Sequence, residues 1–332
     1  MKKSRILGAG HYVPERIITN EELSQMMDTN NEWIVERTGI HERRWFTPGV
    51  DTLTNMSAKA SRMALERAKV DVSEIDFIVF ATITSDYFVP GNGVLLQREL
   101  GLTSIGAIDI KNACSGFIYA LSVADQFIKT GMYQKILVVG AEIQSSGLDK
   151  SNEGRSSAVI FADGAGAVVL GAVENDQPGI LSTHLHSEGA HAEELYCIGQ
   201  SSSAEVRVSQ ELIDRGDFFL KMNGNAVFKH AIVRFMEVIQ EALDHNDAKI
   251  EELDLLVPHQ ANLRISQYIQ HKMNLPDEKV FNNIMYLGNT TAGTIPIALS
   301  EAWEQGRIKE NDLICLAAFG SGFTWASALL RW

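Results

Sequence analysis

The feature that most constrains the fold of this chain is an internal repeat. Segment 64–79, ALERAKVDVSEIDFIV, aligns without a gap on segment 242–257, ALDHNDAKIEELDLLV, an offset of 178 residues (242 − 64). The same offset places 136–139, ILVV, over 314–317, ICLA. Matches that recur in order at so long a period indicate two duplicated domains rather than a solenoid of short units.

Each half of the repeat has the pattern helix, strand, loop, helix, strand. Apolar runs of strand length alternate with segments of helical periodicity, which predicts an α/β fold with largely parallel sheets. We expect the halves to be residues 1–173 and 174–332. At an offset of 177, Asn112 falls on Asn289, so we expect these two turns to be equivalent. Equivalent strand ends meet at one junction, where α/β folds commonly bind ligands.

Composition excludes several classes of protein. The chain is 45% hydrophobic and 21% charged, as in soluble globular proteins, and it has no apolar run long enough to span a membrane. A net charge of −13 argues against nucleic acid or an anionic membrane as partner. The cysteines Cys114, Cys197 and Cys315 are far apart and fit no zinc or disulfide pattern, and the N-terminus lacks the apolar core of a signal peptide. These features favour a cytoplasmic protein.

Cys114 is the strongest candidate for a reactive residue in the first half. Segment 108–129 is predicted to be the end of a buried strand, a tight turn and then a mostly apolar helix, which places Cys114 at the strand-to-helix junction. Unpaired N–H groups at a helix N-terminus favour thiolate over thiol. The alternative is an inert buried cysteine, since free cysteine is among the most buried residue types.

The second half supplies two partners for this cysteine. His259 lies just past a predicted strand, and Asn289 lies in a turn before a helix. A thiolate can take an acyl group from a thioester, while neutral histidine and asparagine can stabilise an enolate. Considered singly, His259 is explained equally well as a structural histidine and Asn289 as a helix cap.

Two other patterns suggest sites that we reject. We expect 158–171 to form two strands around a glycine turn, but Gly164-Ala165-Gly166 lacks the third glycine and the following helix of a dinucleotide-binding motif. The histidines 184, 186 and 191 with Glu193 do not have the spacing of a zinc site. We therefore predict no metal.

Several motifs together resemble the β-ketoacyl-acyl-carrier-protein synthase III family of condensing enzymes, and the resemblance covers essentially the whole chain. They are 29-TNNEWIVERTGI-40, 112-NACSGF-117, 161-FADGAGA-167, 258-PHQANLRI-265, 288-GNTTAG-293 and 319-FGSGFTW-325. The resemblance implies the thiolase fold, with two pseudo-symmetric halves in an α-β-α-β-α layered arrangement.

The resemblance also implies an activity and residue roles. An acyl-coenzyme A primer would acylate Cys114, and malonyl-acyl-carrier protein would then be decarboxylated between His259 and Asn289 and condense with the acyl group. The product would be a 3-oxoacyl carrier protein, in the step that initiates fatty-acid synthesis. The main-chain N–H groups of Cys114 and Ser321 would form the oxyanion hole.

Further residues are assigned only through the resemblance. The coenzyme A contacts would be Thr29, Trp33, Arg37, Arg155, Phe161, Met222, Gly224, Phe228, Ala261, Asn262 and Ile265. Arg264, with Lys229 and Lys272, would dock the acidic carrier protein, and Phe88 would belong to an acyl pocket shared across a homodimer. No cofactor is implied, since coenzyme A enters as a substrate thioester.

Other functions remain open at this stage. The segment 85–93 differs from that of the best-known members, so the length of the primer is open. A specialised relative that makes a quinolone, polyketide or ketone precursor would keep the same cysteine, histidine and asparagine. A non-catalytic protein that binds the acyl carrier protein, and a cysteine hydrolase, are alternatives from other classes.

Overall fold

The β-strands form two large sheets and two small pairs. The structure, a computed structural model, describes residues 2–332. Its strands are β1 (Lys3–Tyr12), β2 (Ile17–Thr19), β3 (Glu42–Arg44), β4 (Phe77–Ala81), β5 (Gly106–Ile110), β6 (Lys135–Ile143), β7 (Asp163–Val173), β8 (Ile180–Ser187), β9 (Leu195–Tyr196), β10 (Lys221–Met222), β11 (Leu255–Pro258), β12 (Leu313–Gly320) and β13 (Thr324–Arg331).

The α-helices alternate with these strands, as the repeat predicts. They are α1 (Asn20–Ser24), α2 (Asn31–Thr38), α3 (Leu53–Ala68), α4 (Asn92–Glu99), α5 (Gly116–Lys129), α6 (Arg155–Ala158), α7 (Gln210–Asp214), α8 (Gly224–His245), α9 (Leu263–Lys272), α10 (Ile284–Leu287) and α11 (Thr294–Glu304). Within residues 2–332, none of them has the length and apolarity needed to cross a bilayer.

The two large sheets share one topology. The first has the strand order β1-β7-β6-β4-β5 and the second β8-β13-β12-β11, and Val280, bridged to Leu256, lies at the place of a fifth strand. In each sheet the central strands pair in parallel, β4 with β6 and β11 with β12, but the pairs on one side are antiparallel: β1 with β7, β6 with β7, β8 with β13 and β12 with β13. The expectation of largely parallel sheets is therefore wrong, and both sheets are mixed. The starts of β6 and β12 are 178 residues apart (313 − 135). Duplicated sequence therefore folds into duplicated sheets.

The offset stays at 178 through the turns that precede the central helices. Single 3₁₀ turns at Ala113–Ser115 and Thr291–Gly293 lie at the same offset (291 − 113 = 178). The expected equivalence of Asn112 with Asn289 is therefore wrong, because the position equivalent to Asn112 is Thr290.

Helices and sheets stack in five layers. Helices α3 and α4 cover the outer face of the first sheet, and α8 and α9 cover the outer face of the second. The apolar helices α5 and α11 lie between the sheets, where Phe117, Leu121 and Leu299 are fully buried in one core. This arrangement confirms the predicted thiolase fold. The strands of the two large sheets fall on either side of residue 173, and the division into two domains there stays a proposal.

Two local predictions were wrong. Segment 158–171 forms no hairpin; β7 is one continuous strand, paired with both β1 and β6. Its glycines admit α11, since a Cβ on Gly166 would lie 2.6 Å from the backbone nitrogen of Ile297. Strand β5 is not buried but is an exposed sheet edge. Helix α1 is capped by Thr19, whose side chain accepts from the Glu22 N–H.

Candidate active site

Cys114 lies in the turn between β5 and α5, as predicted. The preceding Ala113 has a left-handed φ of +46°, and this conformation turns the chain sharply before the helix. The side chain of Cys114 is buried, with 5% of its surface exposed. Gly320 at the end of β12 lies against it, because a Cβ at that glycine would be 3.0 Å from the Cys114 Sγ. Only glycine leaves room for the thiol.

His259 follows β11 in the second half and is also buried. Its backbone N–H donates to the Ala317 carbonyl at 2.8 Å, which continues the pairing of β11 with β12. The Nδ1 atom is 2.6 Å from the Thr294 hydroxyl at the start of α11. The Nε2 atom is buried and has no hydrogen-bond partner among the described residues. It is therefore the ring nitrogen left for a substrate.

Asn289 is held by backbone of the first half. Its N–H donates to the Ile160 carbonyl at 2.9 Å, and its own carbonyl accepts from the Ala162 N–H at 2.9 Å. Its side-chain Oδ1 accepts from the Thr291 N–H at 2.8 Å. Because Oδ1 is engaged in this way, the amide nitrogen is the end that remains to donate to a ligand.

One narrow cavity of about 100 Å³ connects the three side chains. Cys114, His259 and Asn289 all contribute to its wall, although they come from distant parts of the sequence. Most of its other lining residues are apolar: Ile160, Phe161, Leu195, Met222, Gly224, Val227, Phe228, Ala231, Ala261, Asn262, Ile265, Phe319 and Gly320. A slender, largely apolar channel ending at a thiol suits an extended thioester arm.

Burial makes the thiol and the imidazole neutral. It raises the pKa of the Cys114 thiol to about 12, with a further contribution from the Glu142 carboxylate. It lowers the pKa of His259 to about 3. The expectation that the helix N-terminus favours a thiolate is therefore wrong for the unliganded protein, because desolvation outweighs the backbone N–H groups that act the other way.

Glu142 is a buried acid beside this site that the sequence did not single out. Burial raises its pKa to about 8, against the opposing effect of its hydrogen bonds. The carboxylate accepts from the hydroxyl of Thr84 at 2.5 Å and from the N–H of Ile83 at 3.2 Å, and the backbone N–H of Ala292 also stabilises it. Glu142 therefore joins the end of β6 to the loop after β4 and to the turn after Asn289.

The expected oxyanion donors lie next to the sulfur. The backbone N–H groups of Ser321 and Cys114 both act to lower the pKa of the thiol, so both lie close to Sγ. The turn that carries Ser321 is fixed to the cysteine turn, since Ser115 Oγ is 2.6 Å from Thr324 Oγ1, which donates to the Ser321 carbonyl at 3.0 Å. Charge that develops on a thioester oxygen there would meet fixed donors.

A cationic cluster forms around Trp33. The Arg37 guanidinium carbon is 4.5 Å from the centre of the Trp33 ring, and that of Arg155 is 4.9 Å from it. Asn262, which lines the cavity, donates to the Arg37 carbonyl at 3.0 Å and so connects this cluster to the channel. The Thr29 hydroxyl is buried and has no partner among the described residues. An aromatic ring with two guanidinium groups suits a base with phosphates.

The predicted coenzyme A contacts thus divide into two groups. Seven of them line the narrow cavity: Phe161, Met222, Gly224, Phe228, Ala261, Asn262 and Ile265. Thr29, Trp33, Arg37 and Arg155 do not line it. Sequence reasoning missed Val227 and Ala231, although their spacing from Gly224 and Phe228 on one helix face would have indicated them.

A second, wider cavity of about 520 Å³ opens beside the thiol. Cys114, Ser321 and the predicted pocket residue Phe88 line it, together with Gln144. Much of the remaining wall comes from a segment that the sequence left uninterpreted: Tyr196, Cys197, Ile198, Gly199, Gln200 and Phe218. Phe88 has 66% of its surface exposed, next to the equally exposed Val89.

The three cations expected to dock the carrier protein lie on two neighbouring helices. Lys229 is on α8, and Arg264 and Lys272 are on α9; all three side chains are exposed. Arg264 directly precedes the channel residue Ile265 in sequence. The structure therefore places basic side chains next to the channel despite the net charge of −13.

The rejected histidine cluster has a different arrangement. His184 and His186 both face Glu241, at 3.3 Å and 2.6 Å, whereas His191 packs on His230. Residues 2–332 contain no group of three or more His, Cys, Asp or Glu side chains that could hold a metal ion.

Comparison with known proteins agrees with the resemblance. Residues 108–189 match the family "3-Oxoacyl-[acyl-carrier-protein (ACP)] synthase III", and residues 243–332 match its C-terminal part. The beta-ketoacyl-[acyl-carrier-protein] synthase III of Rhodospirillum centenum is 44% identical over 333 residues, covering 99% of both chains.

Solved structures are similar over the same length. The 3-oxoacyl-[acyl-carrier-protein] synthase III from Aquifex aeolicus superposes with a TM-score of 0.90 at 41% identity, covering 99% of this chain and 100% of its own. The Thermus thermophilus synthase III superposes with a TM-score of 0.90 at 38% identity, covering 99% of each chain.

The fold therefore defines a condensing enzyme of the thiolase type, an acyltransferase. More particularly, the chain belongs to the 3-oxoacyl-[acyl-carrier-protein] synthase III family. This family supplies the initiating condensing enzyme of fatty-acid synthesis.

Proposed function

We propose that this protein condenses an acyl-coenzyme A primer with malonyl-acyl-carrier protein by way of an acyl group on Cys114. The observation that carries the proposal is the narrow cavity that ends at Cys114, His259 and Asn289. A thiol, an imidazole and a carboxamide at the end of one apolar channel are the groups that acyl transfer and enolate formation require.

In the first step the Cys114 sulfur attacks the thioester carbonyl of the primer. The carbon–sulfur bond to coenzyme A breaks, and the proton lost by Cys114 leaves on the coenzyme thiol. The N–H groups of Cys114 and Ser321 stabilise the oxyanion. Trp33, Arg37 and Arg155 hold the adenine and phosphates, while the apolar channel takes the pantetheine arm.

In the second step malonyl carrier protein occupies the same channel. The bond to its free carboxylate breaks and carbon dioxide leaves, and the electron pair forms an enolate whose oxygen accepts hydrogen bonds from His259 and Asn289. The enolate carbon then attacks the acyl group on Cys114, and the released sulfur takes up a proton. Neutral His259 suits this role, since its pKa is lowered to about 3 by burial.

The Thr294 hydroxyl can serve both states of His259. It lies 2.6 Å from Nδ1 and 3.1 Å from the Thr291 carbonyl. When Thr294 donates its proton to Nδ1, Nε2 carries the ring hydrogen and can donate to the enolate. When Thr294 donates to the carbonyl, Nε2 carries the lone pair and can accept a proton from Cys114.

The remaining assignments complete this proposal. Arg264, Lys229 and Lys272 dock the acidic carrier, and the protein works as a homodimer, with the exposed Phe88 loop completing an acyl pocket. The reaction uses only the thioester substrates, without a cofactor. A reducing cytoplasm suits a mechanism that needs a free thiol at Cys114.

Intact-mass measurement of the protein mixed with acyl-coenzyme A thioesters from acetyl to about decanoyl tests the proposal. We expect an acyl adduct on the wild type that is absent from Cys114→Ala, and carbon dioxide release when malonyl carrier protein follows. Loading by acetyl or short branched groups supports the initiating synthase, whereas loading by long or aromatic groups alone indicates a specialised relative. The absence of any adduct would refute the mechanism.

A further inference from the structure

Thr291 connects the two residues proposed to act on malonyl carrier protein. Its N–H donates to the Asn289 Oδ1 at 2.8 Å, and its carbonyl accepts from the Thr294 hydroxyl at 3.1 Å. That hydroxyl is 2.6 Å from the Nδ1 of His259. The orientation of both the carboxamide and the imidazole therefore depends on the backbone of one residue, through the two peptide groups that flank the Thr291 Cα.

The backbone of Thr291 is in a conformation that its own side chain disfavours. Its φ is +51°, in the left-handed region, where a β-branched residue is a genuine outlier. Such a conformation persists only where the surroundings hold it in place. The side chain is 1% exposed, so the restraint comes from its protein neighbours.

The direct restraint on the Thr291 side chain comes from the other half of the molecule. Gln144, just after β6, donates from Nε2 to the Thr291 hydroxyl at 2.8 Å, and Gln144 is itself buried. Its own backbone is fixed, because the adjacent Ser145 N–H donates to the buried Asp163 at 2.8 Å. Two residues before Gln144, Glu142 at the end of β6 accepts a hydrogen bond from the backbone N–H of Ala292, the residue after Thr291.

We propose that Gln144 and Thr291 are a positioning pair, through which the first half of the chain orients Asn289 and His259 of the second half for malonyl decarboxylation. This inference rests on the function proposed above. Neither residue needs to contact the reacting atoms. Both side chains also line the cavity beside Cys114, but their larger effect is on the second half-reaction, because the hydrogen bonds of Thr291 orient Asn289 and His259, whereas Cys114 and its oxyanion donors belong to other turns.

The two half-reactions separate this role from a general structural one. Gln144→Met keeps the size of the side chain but removes the donor. Because Gln144 also lines the cavity beside the thiol, we expect acetyl loading of Cys114 to fall, but less than decarboxylation does. Carbon dioxide release from malonyl carrier protein by the acylated enzyme should fall about 10- to 100-fold, as misplaced catalytic groups cause. Thr291→Val should behave in the same way, while Thr291→Ser, which keeps the hydroxyl, should retain most of the activity.

The double variant Gln144→Met/Thr291→Val tests whether the two residues act as a pair. We expect it to be no slower than the slower single variant, because both substitutions remove the same hydrogen bond. Decarboxylation at the wild-type rate, or an equal loss in both half-reactions, would overturn the inference. Failure of the wild type to load or decarboxylate would instead overturn the proposed function.

Discussion

The two halves of this protein use the same contact for opposite purposes. In each half, the end of a central strand packs on the helical turn of the other half: β6 on Thr291–Gly293, and β12 on Ala113–Ser115. At the equivalent strand positions stand Glu142 and Gly320, 178 residues apart (320 − 142). The Glu142 side chain lies between its strand and the turn and accepts a hydrogen bond from the Ala292 N–H. Gly320 has no side chain, and the side chain of Cys114 occupies the space that this leaves.

The equivalent turns differ in the same way. Ala113 and Thr291 share a left-handed φ, at +46° and +51°, and the residues after them are Cys114 and Ala292. The backbone therefore forms two similar elbows, and only one of them carries the proposed nucleophile, Cys114. The asymmetry of the site therefore comes from a few side chains on a symmetric backbone.

The largest effect is expected when the thiol is moved to the other elbow. In the double variant Cys114→Ala/Ala292→Cys, we expect acyl loading and condensation to be lost completely. Ala292 is 1% exposed and packs on Gly140, and it lines neither of the two cavities near Cys114. Intact-mass analysis with acetyl-coenzyme A measures the loss. An adduct on the introduced thiol would show that the two elbows are functionally interchangeable.

The second-largest effect is expected at Gly320, which leaves room for the Cys114 thiol. In Gly320→Ala the added Cβ would lie 2.5 Å from the Cys114 Cβ, so the thiol must shift. A shift of this kind should slow acyl loading about 100-fold. Rapid-quench measurement of loading tests it, and Gly147→Ala is the matched control because nothing lies within 4 Å of a Cβ there. Equal loading by the two variants would contradict the packing argument.

The connections between the last two strands of each large sheet give a third comparison. The first, 144–162, is long and carries Arg155, whereas the second, 321–323, is a tight turn. In Arg155→Ala we expect the KM for acyl-coenzyme A to rise about 10-fold, or about 1.4 kcal/mol, with little change in kcat. Steady-state kinetics measure this, with the exposed Arg62→Ala as control. A fall in kcat alone would assign Arg155 a role other than binding.

The smallest effect is expected in the pH dependence of the free energy of unfolding, to which Glu142 contributes. Its folded pKa, raised to about 8, exceeds the unfolded value, so the folded protein keeps a proton that the unfolded chain releases. The free energy of unfolding should therefore fall as pH rises from about 4.5 to about 8. Between pH 6 and 8, Glu142→Gln should remove about 2 kcal/mol of this decline. Urea unfolding of the wild type and of Glu142→Gln at three pH values tests this prediction. The same change of unfolding free energy with pH in both proteins would contradict it.

The repeat and the apolar periods predicted two duplicated α/β units, and the family resemblance predicted their layered arrangement. The mixed strand directions were not predicted, because strand length and apolarity do not show which way a strand runs. The motifs around Cys114, His259 and Asn289 also predicted which turns converge. The role of Gly166 was not visible, because a glycine that admits a neighbouring helix looks in sequence like a glycine that makes a turn. Asn112 was wrongly aligned with Asn289, because the two identical residues suggested an offset of 177. The structure shows that the offset of these turns is 178.

Electrostatics could not be predicted from the sequence. The pKa of Cys114 depends on burial by elements distant in the chain, including Gly320 of the other half. Gln144 and its partner Thr291 are 147 residues apart in the sequence, and Glu142 is 58 residues from its partner Thr84. The wall formed by 196–200 belongs to a segment without periodicity, and only the folded chain shows that it lines the second cavity.

The middle layer of helices has a consequence for how the molecule holds together. Helix α5 comes from one half and α11 from the other, yet both are buried in a single core between the sheets. Either half alone would expose the apolar face of its sheet and of its helix to water. We therefore expect the two halves to melt in one cooperative transition. A single half on its own would have to cover that face with a partner, such as a second copy of itself.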